Sequence, residues 1–316
     1  MSTARTVNDT RDLVVELDLD ELRVVQEMAP PTALPPRLRV PAFGPDDEAT
    51  ARRQAALARL VARDLLVPEA SEGSGAVAVD PAAAARGDVR LGPSPDLRAL
   101  LDVGASSAVA VHTQSWVPAH GSHAIFLPSG LAVSELRLDV ARHADPADRD
   151  AGRAVLALRP VSRMVARIEA LLDGGPAEHE RGLASVSLPM IEMQTLIDAV
   201  RTGDPRTLEA AAEQLHASHA VDLARALAGP LPCGLRVRAV DRTGRTTHHA
   251  DWTQTGDGSW VASTGRLPGS ASTPPTADDV VANGRITVTR TSRTLMTAEL
   301  LAAVASLVET DDGSGR

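Results

Sequence analysis

Three neighbouring segments near the middle of the chain decide the fold: AVAVH at 108–112, AIFL at 124–127 and VSELRL at 133–138. The first alternates Ala and Val, and the third alternates apolar and polar side chains, as a strand with one buried face does. Because the segments follow one another with short connections, they predict sequential antiparallel hairpins. A sheet is therefore expected at the centre of the molecule.

A second pattern surrounds this sheet and consists of a short strand, a proline and a helix. It occurs as LRVP at 38–41, LALRP at 156–160 and VSLP at 186–189, and the last two copies lead into helical spacing of apolar residues. Three copies in two halves of the chain suggest internal pseudo-symmetry. Strands and helices mixed in this way, with sequential hairpins, predict an α+β fold.

The composition excludes several kinds of enzyme and partner. The 316 residues contain 32 basic residues, all of them Arg, and no Tyr. Without a Lys amine there is no Schiff-base catalysis, no pyridoxal phosphate anchor and no Walker-type phosphate loop. The net charge of -9 repels a nucleic-acid backbone, so no nucleic-acid partner is expected.

The single cysteine, Cys233, leaves no internal disulfide and indicates a reducing compartment. No stretch of the sequence approaches the roughly 18 apolar residues that a spanning helix needs, so no membrane partner is expected. The first residues, 1–10, are polar and do not resemble a secretory signal. These features predict a cytoplasmic protein.

Candidate catalytic and metal-binding residues are few. His120 and His123 lie three apart on an expected turn, so a metal-dependent hydrolase around them, with His112 as a third ligand, is the alternative function. No Glu follows the first His as in the metalloprotease motif. Ser129 and Cys233 lack the local signatures of nucleophilic enzymes. We therefore expect no catalytic residue, no metal ligand and no cofactor.

Two other features are better explained by packing or by a partner surface. His219 is expected on a helix from Arg206 to Leu227, in line with Leu215 and Leu223, and hence as a partly buried core residue. The apolar group Trp116, Val117 and Pro118 falls in an expected loop between strands, 114–122. An exposed apolar loop indicates binding of a protein partner.

The order and spacing of the segments resemble the EspG proteins of actinobacterial type VII (ESX) secretion systems, over roughly residues 12 to 309. Four features carry this resemblance. They are the opening strand and acidic helix with a Pro-rich exit into 38–41, the helix that ends ARDLL at 62–66, the strand-to-helix entries at Pro160 and Pro189, and the ending WV at 260–261 with GRITV at 284–288 and a last helix.

The resemblance implies a non-catalytic cytosolic chaperone that binds helical secretion substrates of PE–PPE type and keeps them soluble before export. It implies a central, mostly antiparallel β-sheet flanked by helical bundles, with quasi-two-fold related halves. The implied contacts lie in the loop 114–123 and in the bundle 190–227. The partner-binding residues predicted from them are Trp116, Val117, Pro118, His120, Met193, Leu215 and His219.

The resemblance also implies how the chain is divided. Residues 1–11 are expected to be a disordered N-terminus, 12–308 a single domain with halves at about 12–150 and 151–308, and 309–316 a disordered tail. The segment 265–284, rich in Pro, Ser and Thr, departs from the family pattern as an insertion. A homodimer and a regulatory binding module on the same fold are left open by the sequence.

Overall fold

The computed structural model describes residues 12–29, 40–69, 89–141, 152–179, 184–241, 246–266 and 283–313. Its strands are β1 (Leu13–Asp18), β2 (Leu66–Pro68), β3 (Leu91–Pro93), β4 (Val109–Trp116), β5 (His120–Ser129), β6 (Ala132–Ala141), β7 (Arg153–Pro160), β8 (Ser185–Pro189), β9 (Cys233–Asp241), β10 (Thr246–Gln254), β11 (Trp260–Arg266) and β12 (Arg285–Thr291). Its helices are α1 (Leu19–Met28), α2 (Asp47–Ala62), α3 (Pro95–Ser106), α4 (Met164–Ala170), α5 (Met190–Arg201), α6 (Pro205–Gln214), α7 (Val221–Ala228) and α8 (Arg293–Gly313).

Ten of these strands form one sheet in the order β1-β7-β6-β5-β4-β9-β10-β11-β12-β8. Every pairing between its described strands is antiparallel. The three segments that predicted hairpins became β4, β5 and β6, which pair with one another in sequence. The α+β class and the antiparallel sheet are thus confirmed.

The sheet is built from two similar halves that meet where β4 pairs with β9. Each half places its first strand, β1 or β8, at an outer edge, and this strand runs directly into a helix. Each half then adds four consecutive antiparallel strands and ends in a helix, α4 or α8. The halves are therefore related by a quasi-two-fold axis between the two central strands.

Strand registers identify the equivalent positions of the two halves. Aligned by register, Phe126 corresponds to Trp252, and Met164 corresponds to Met296. All four side chains are fully buried, at 0% exposure. The same alignment matches 186–189 with 15–18, and not with 156–160 as the repeated sequence pattern indicated.

Helices cover the two faces of the sheet differently. On one face, α1, α2 and α3 pack over the β1 side through residues such as Leu60 and Leu97, and α5, α6 and α7 pack over the β8 side. On the opposite face, α4 and α8 cover the centre and enclose Phe126, Leu235 and Trp252. In the part of the chain that the structure describes, no helix covers the strip of the first face between these two layers.

The first helix begins where it does because Asp18 caps it. The Asp18 carboxylate accepts a hydrogen bond from the Glu21 N–H at 2.8 Å, and the Glu21 carboxylate accepts from the Asp18 N–H at 3.1 Å, which makes a capping box. Glu21 is buried and also pairs with Arg59 of α2 at 3.3 Å and with Arg63, which follows the last residue of α2, at 2.8 Å. The Glu21 carboxylate therefore both completes the cap of α1 and holds α2 against this helix.

Other expected boundaries differ from the observed elements or lie outside the described residues. Val40 and Pro41 belong to no strand, while Leu38 and Arg39 lie outside the described residues. The last helix continues to Gly313, into the segment expected to be a tail. Of the insertion at 265–284, residues 267–282 lie outside the described part of the chain, as do residues 1–11.

No helix among the described residues is both long enough and apolar enough to cross a membrane.

Candidate partner-binding surface

The helical layer made of α5, α6 and α7 is held on the sheet by apolar residues that face inward. Leu196, Leu208 and Leu223, one from each helix, pack with Val288 of β12. Met193 belongs to this set and is only 2% exposed. Met193 was predicted to contact a partner, but its side chain is part of the core that positions the surface.

The expected helix from Arg206 to Leu227 is interrupted. Its first part ends at Gln214, and His216 takes a left-handed backbone conformation with φ of 52°. A 3-10 turn over Ser218–Ala220 then leads into α7. This break turns the His219 side chain outward, so it is exposed rather than packed between Leu215 and Leu223, and Leu215 is half-buried.

His219 lines a cavity of about 610 Å³ beside α7. Asp222 and Arg225 of α7 also line it, and Arg290 of β12 and Asp257 of the β10–β11 turn complete its charged groups. The Arg225 guanidinium lies 3.3 Å from the Asp222 carboxylate, and both side chains are exposed. The rest of its wall is apolar or glycine and comes from Ala184, Leu223, Ala226, Gly229, Pro230 and Gly256.

These charged residues were not predicted from the sequence, because they come together only after folding. Asp222 and Arg290 are separated by 68 positions, and no local pattern connects them. The only signal was the Gly229-Pro230 pair, which correctly predicted the end of a helix. The Gly229-Pro230 pair does not indicate that this helix end lies beside the turn that contains Asp257.

An exposed apolar side chain marks the outer side of the same layer. Ile191, in the first turn of α5, is 49% exposed, although the neighbouring Met193 is buried. A half-exposed Ile on a helix whose inner side is already packed does not serve the core of the chain. It is the type of residue that a protein partner would cover.

The expected loop 114–122 is a tight connection. β4 continues to Trp116 and β5 begins at His120, so only Val117, Pro118 and Ala119 lie between the strands. The Val117 N–H donates a hydrogen bond to the His120 carbonyl at 2.9 Å. Val117 is buried at 1% exposure and Trp116 is half-buried, whereas Pro118 and His120 are exposed. Of the three apolar residues expected to be exposed in this loop, only Pro118 is.

The histidine pair considered for a metal is divided between the two faces of the sheet. His120 and His123 both lie in β5, and side chains three apart on a strand point to opposite faces. His112 lies on the same face as His123, one step along the neighbouring strand. Among the described residues no group of three or more His, Cys, Asp or Glu could hold a metal ion.

Comparisons with known proteins agree with this architecture. No protein-family model and no curated protein matches the chain. A solved structure does: the Mycobacterium tuberculosis type VII secretion system chaperone EspG5 in complex with a PE25–PPE41 dimer. The TM-score is 0.51, and the match covers 94% of this chain and 96% of that chain.

The chain has an EspG-like fold. The sequence identity to EspG5 is 11%, so the likeness extends to the fold alone. It agrees with the resemblance that the order of segments indicated, from the opening strand to the last helix. In this chain, α5, α6 and α7 form one helical layer of the C-terminal half.

Proposed function

We propose that this chain is a non-catalytic cytosolic chaperone that binds helical type VII (ESX) secretion substrates of PE–PPE type and keeps them soluble before export. The observation that carries the proposal is the fold likeness over nearly the whole chain to EspG5, whose solved structure includes a PE25–PPE41 dimer. The absence of Lys and Tyr from the sequence, which removes several kinds of catalysis, is compatible with it.

The proposed contact surface is the outer side of the layer α5–α7 with the adjoining cavity. Ile191 supplies an exposed apolar anchor, and His219 with Arg225 supplies polar groups at the cavity rim. Helical partners are bound in this way, with apolar residues in a groove and charges at its edge. Leu215, half-buried beside the helix break, extends the apolar part of the surface.

The hairpin of β4 and β5 is the second proposed contact. Its exposed tip contains Pro118 and His120, while Val117 and Trp116 support this tip from within. Removing Trp116 is therefore expected to alter the hairpin itself, and a loss of binding in such a variant does not separate contact from folding. Substitutions at exposed positions make a cleaner test.

The proposal is tested by co-expressing the chain with PE–PPE pairs from the same genome and isolating stoichiometric complexes by affinity and size-exclusion chromatography. Ile191→Glu should reduce recovery of the complex at least tenfold, because it places a charge in an apolar contact. Leu131→Glu is the matched control: Leu131 is 83% exposed in the β5–β6 turn of the other half. Light scattering of the free chain establishes whether it also forms a homodimer.

Two outcomes of this experiment would contradict the proposal or part of it. If soluble PE–PPE pairs are present and none is retained by the unmodified chain, the proposed function is wrong and the likeness is one of fold only. If the complex forms but Ile191→Glu and Leu131→Glu behave alike, the function stands and the assignment of α5–α7 as its surface is wrong. Melting curves of both variants confirm that each is folded.

A further inference from the structure

One charged side chain in the cavity beside α7 has no counter-charge. Arg290 of β12 lines this cavity and is half-buried. Its backbone N–H donates a hydrogen bond to the Ala184 carbonyl at 2.8 Å. Its guanidinium group, however, forms no hydrogen bond and no ion pair with any residue that the structure describes. A half-buried guanidinium without a partner has lost part of its hydration without the gain that an ion pair brings, so its position in the cavity needs a reason.

The two acidic residues that line the same cavity are engaged elsewhere. The Asp222 carboxylate lies 3.3 Å from the Arg225 guanidinium. The Asp257 carboxylate accepts a hydrogen bond from the Thr255 hydroxyl at 2.6 Å, within its own turn. Neither carboxylate forms an ion pair with Arg290. The described part of the cavity therefore keeps one positive charge, from Arg290, that its own acids do not neutralise.

The position of Arg290 is set by the sheet and not by a loop. β12 pairs with β11 on one side and with β8 on the other, and Arg290 lies opposite Val261. The cavity wall is apolar where Leu223, Ala226 and Pro230 line it. A partner that covered this wall would also remove water from the guanidinium. Such a partner would bind well only if it brought a negative group into the cavity.

We propose that the cavity receives one carboxylate side chain of the partner, an Asp or a Glu, which pairs with Arg290. The inference rests on the proposed function and names the group that the partner supplies at this place. A guanidinium group can donate two parallel hydrogen bonds to one carboxylate, and a cavity of about 610 Å³ is wide enough to admit such a side chain. Arg290 therefore selects among helical partners, because those with an acidic residue at this position bind more tightly than those with a neutral or basic one.

The absence of Lys from the sequence makes a direct test possible. Arg290→Lys introduces the only side-chain amine of the chain and keeps the positive charge. A water-soluble carbodiimide joins an amine to a carboxylate that it contacts, forming an amide with loss of one water, which the reagent takes up as its urea. The test uses the complex of this variant with a PE–PPE pair, and mass spectrometry of the digested complex locates the amide. We expect residue 290 to be joined to one Asp or Glu of the partner.

Arg98→Lys is the matched control, because Arg98 is exposed on α3 in the other half of the chain. It should give no amide to the partner. Equal coupling from both variants would show that the reagent joins the proteins without selectivity, and no coupling at residue 290 within an intact complex would show that no carboxylate reaches the cavity. Coupling of residue 290 to Asp222 or Asp257 alone would show that the acids of the cavity itself serve Arg290. Each of these three outcomes overturns the proposal.

The affinity of the complex gives a second readout. Arg290→Gln should weaken binding of the same PE–PPE pair by about fivefold or more and make it less sensitive to salt, whereas Arg98→Gln should change it less than about twofold. If the unmodified chain forms a complex and Arg290→Gln binds equally well, this inference is wrong and the proposed function stands. If the unmodified chain retains no PE–PPE pair, the proposed function fails and this inference fails with it. Melting curves show that each variant is folded.

Discussion

The indole ring of Trp116 lies against the backbone of Gly234 on the neighbouring strand, with no room for a side chain between them. A Cβ atom on Gly234 would overlap the ring, at Cζ2 most of all. The indole N–H also donates a hydrogen bond to the Leu231 carbonyl at 3.2 Å. Trp116 and Gly234 are directly opposite each other in the pairing of β4 with β9, so this contact joins the two halves of the sheet.

Gly234→Ala is expected to destabilise the chain by about 2–3 kcal/mol or more, because the added methyl group overlaps the ring. Urea unfolding measures the loss. Gly265→Ala is the matched control in β11, where an added Cβ meets nothing within 4 Å. It should leave the free energy of unfolding within about 0.5 kcal/mol. If Gly234→Ala costs no more than the control, the ring does not pack as the structure shows.

The Trp116–Gly234 contact also shows what the sequence could and could not predict. Alternation in 108–112 and 133–138 identified the strands, because side-chain alternation is a local property. Whether Trp116 faces a partner or another strand depends on Gly234, which lies 118 positions away. Likewise the break at His216 sits within an uninterrupted helical pattern, so periodicity predicted one helix where two form. The charged cavity beside α7 likewise forms from residues that are distant in the sequence.

A buried ion cluster on β6 provides a second test. Glu135 is 0% exposed, and its carboxylate lies 3.1 Å from Arg159 and 3.2 Å from Arg167. Glu135→Gln keeps the shape but leaves both guanidinium groups without this carboxylate, which should cost about 3 kcal/mol in unfolding free energy. Asp198→Asn, which breaks an exposed pair with Arg201, should cost less than about 0.5 kcal/mol. Equal costs would mean that the cluster is hydrated.

Two histidines should make stability depend on pH. Burial lowers the pKa of His248 below its usual value, neighbouring His249 lowers it further, and Glu299 opposes both. Burial also lowers the pKa of His123. The folded chain therefore binds fewer protons than the unfolded chain, whose histidines titrate near pH 6.5. The free energy of unfolding should be highest above this pH and should fall as the pH drops below it.

Chemical denaturation at several pH values between about 5 and 8 measures this dependence. In the variant His248→Gln, the free energy of unfolding should decrease less toward low pH, because residue 248 no longer has a group that binds a proton more weakly in the folded chain than in the unfolded chain. Nε2 of His248 is buried and has no hydrogen-bond partner in the described part of the chain. The Gln side chain of the variant occupies the same buried position but cannot take up a proton in this pH range. An unchanged decrease in His248→Gln would assign the effect to other groups.

The two halves of the sheet should unfold together, because their deepest cluster is shared. Phe126, from the first half, and Trp252, its equivalent in the second, pack in one cluster beneath α4 and α8. Phe126→Ala should therefore cost about 3–5 kcal/mol. It should shift the unfolding transition seen by Trp fluorescence as much as the one seen by circular dichroism, although two of the three tryptophans, Trp252 and Trp260, lie in the other half. Val14→Ala, at a 44% exposed position of edge strand β1, should shift neither by more than about 0.5 kcal/mol. Separate transitions would show that each half folds on its own, and that pairing of β4 with β9 joins two stable units instead of completing one.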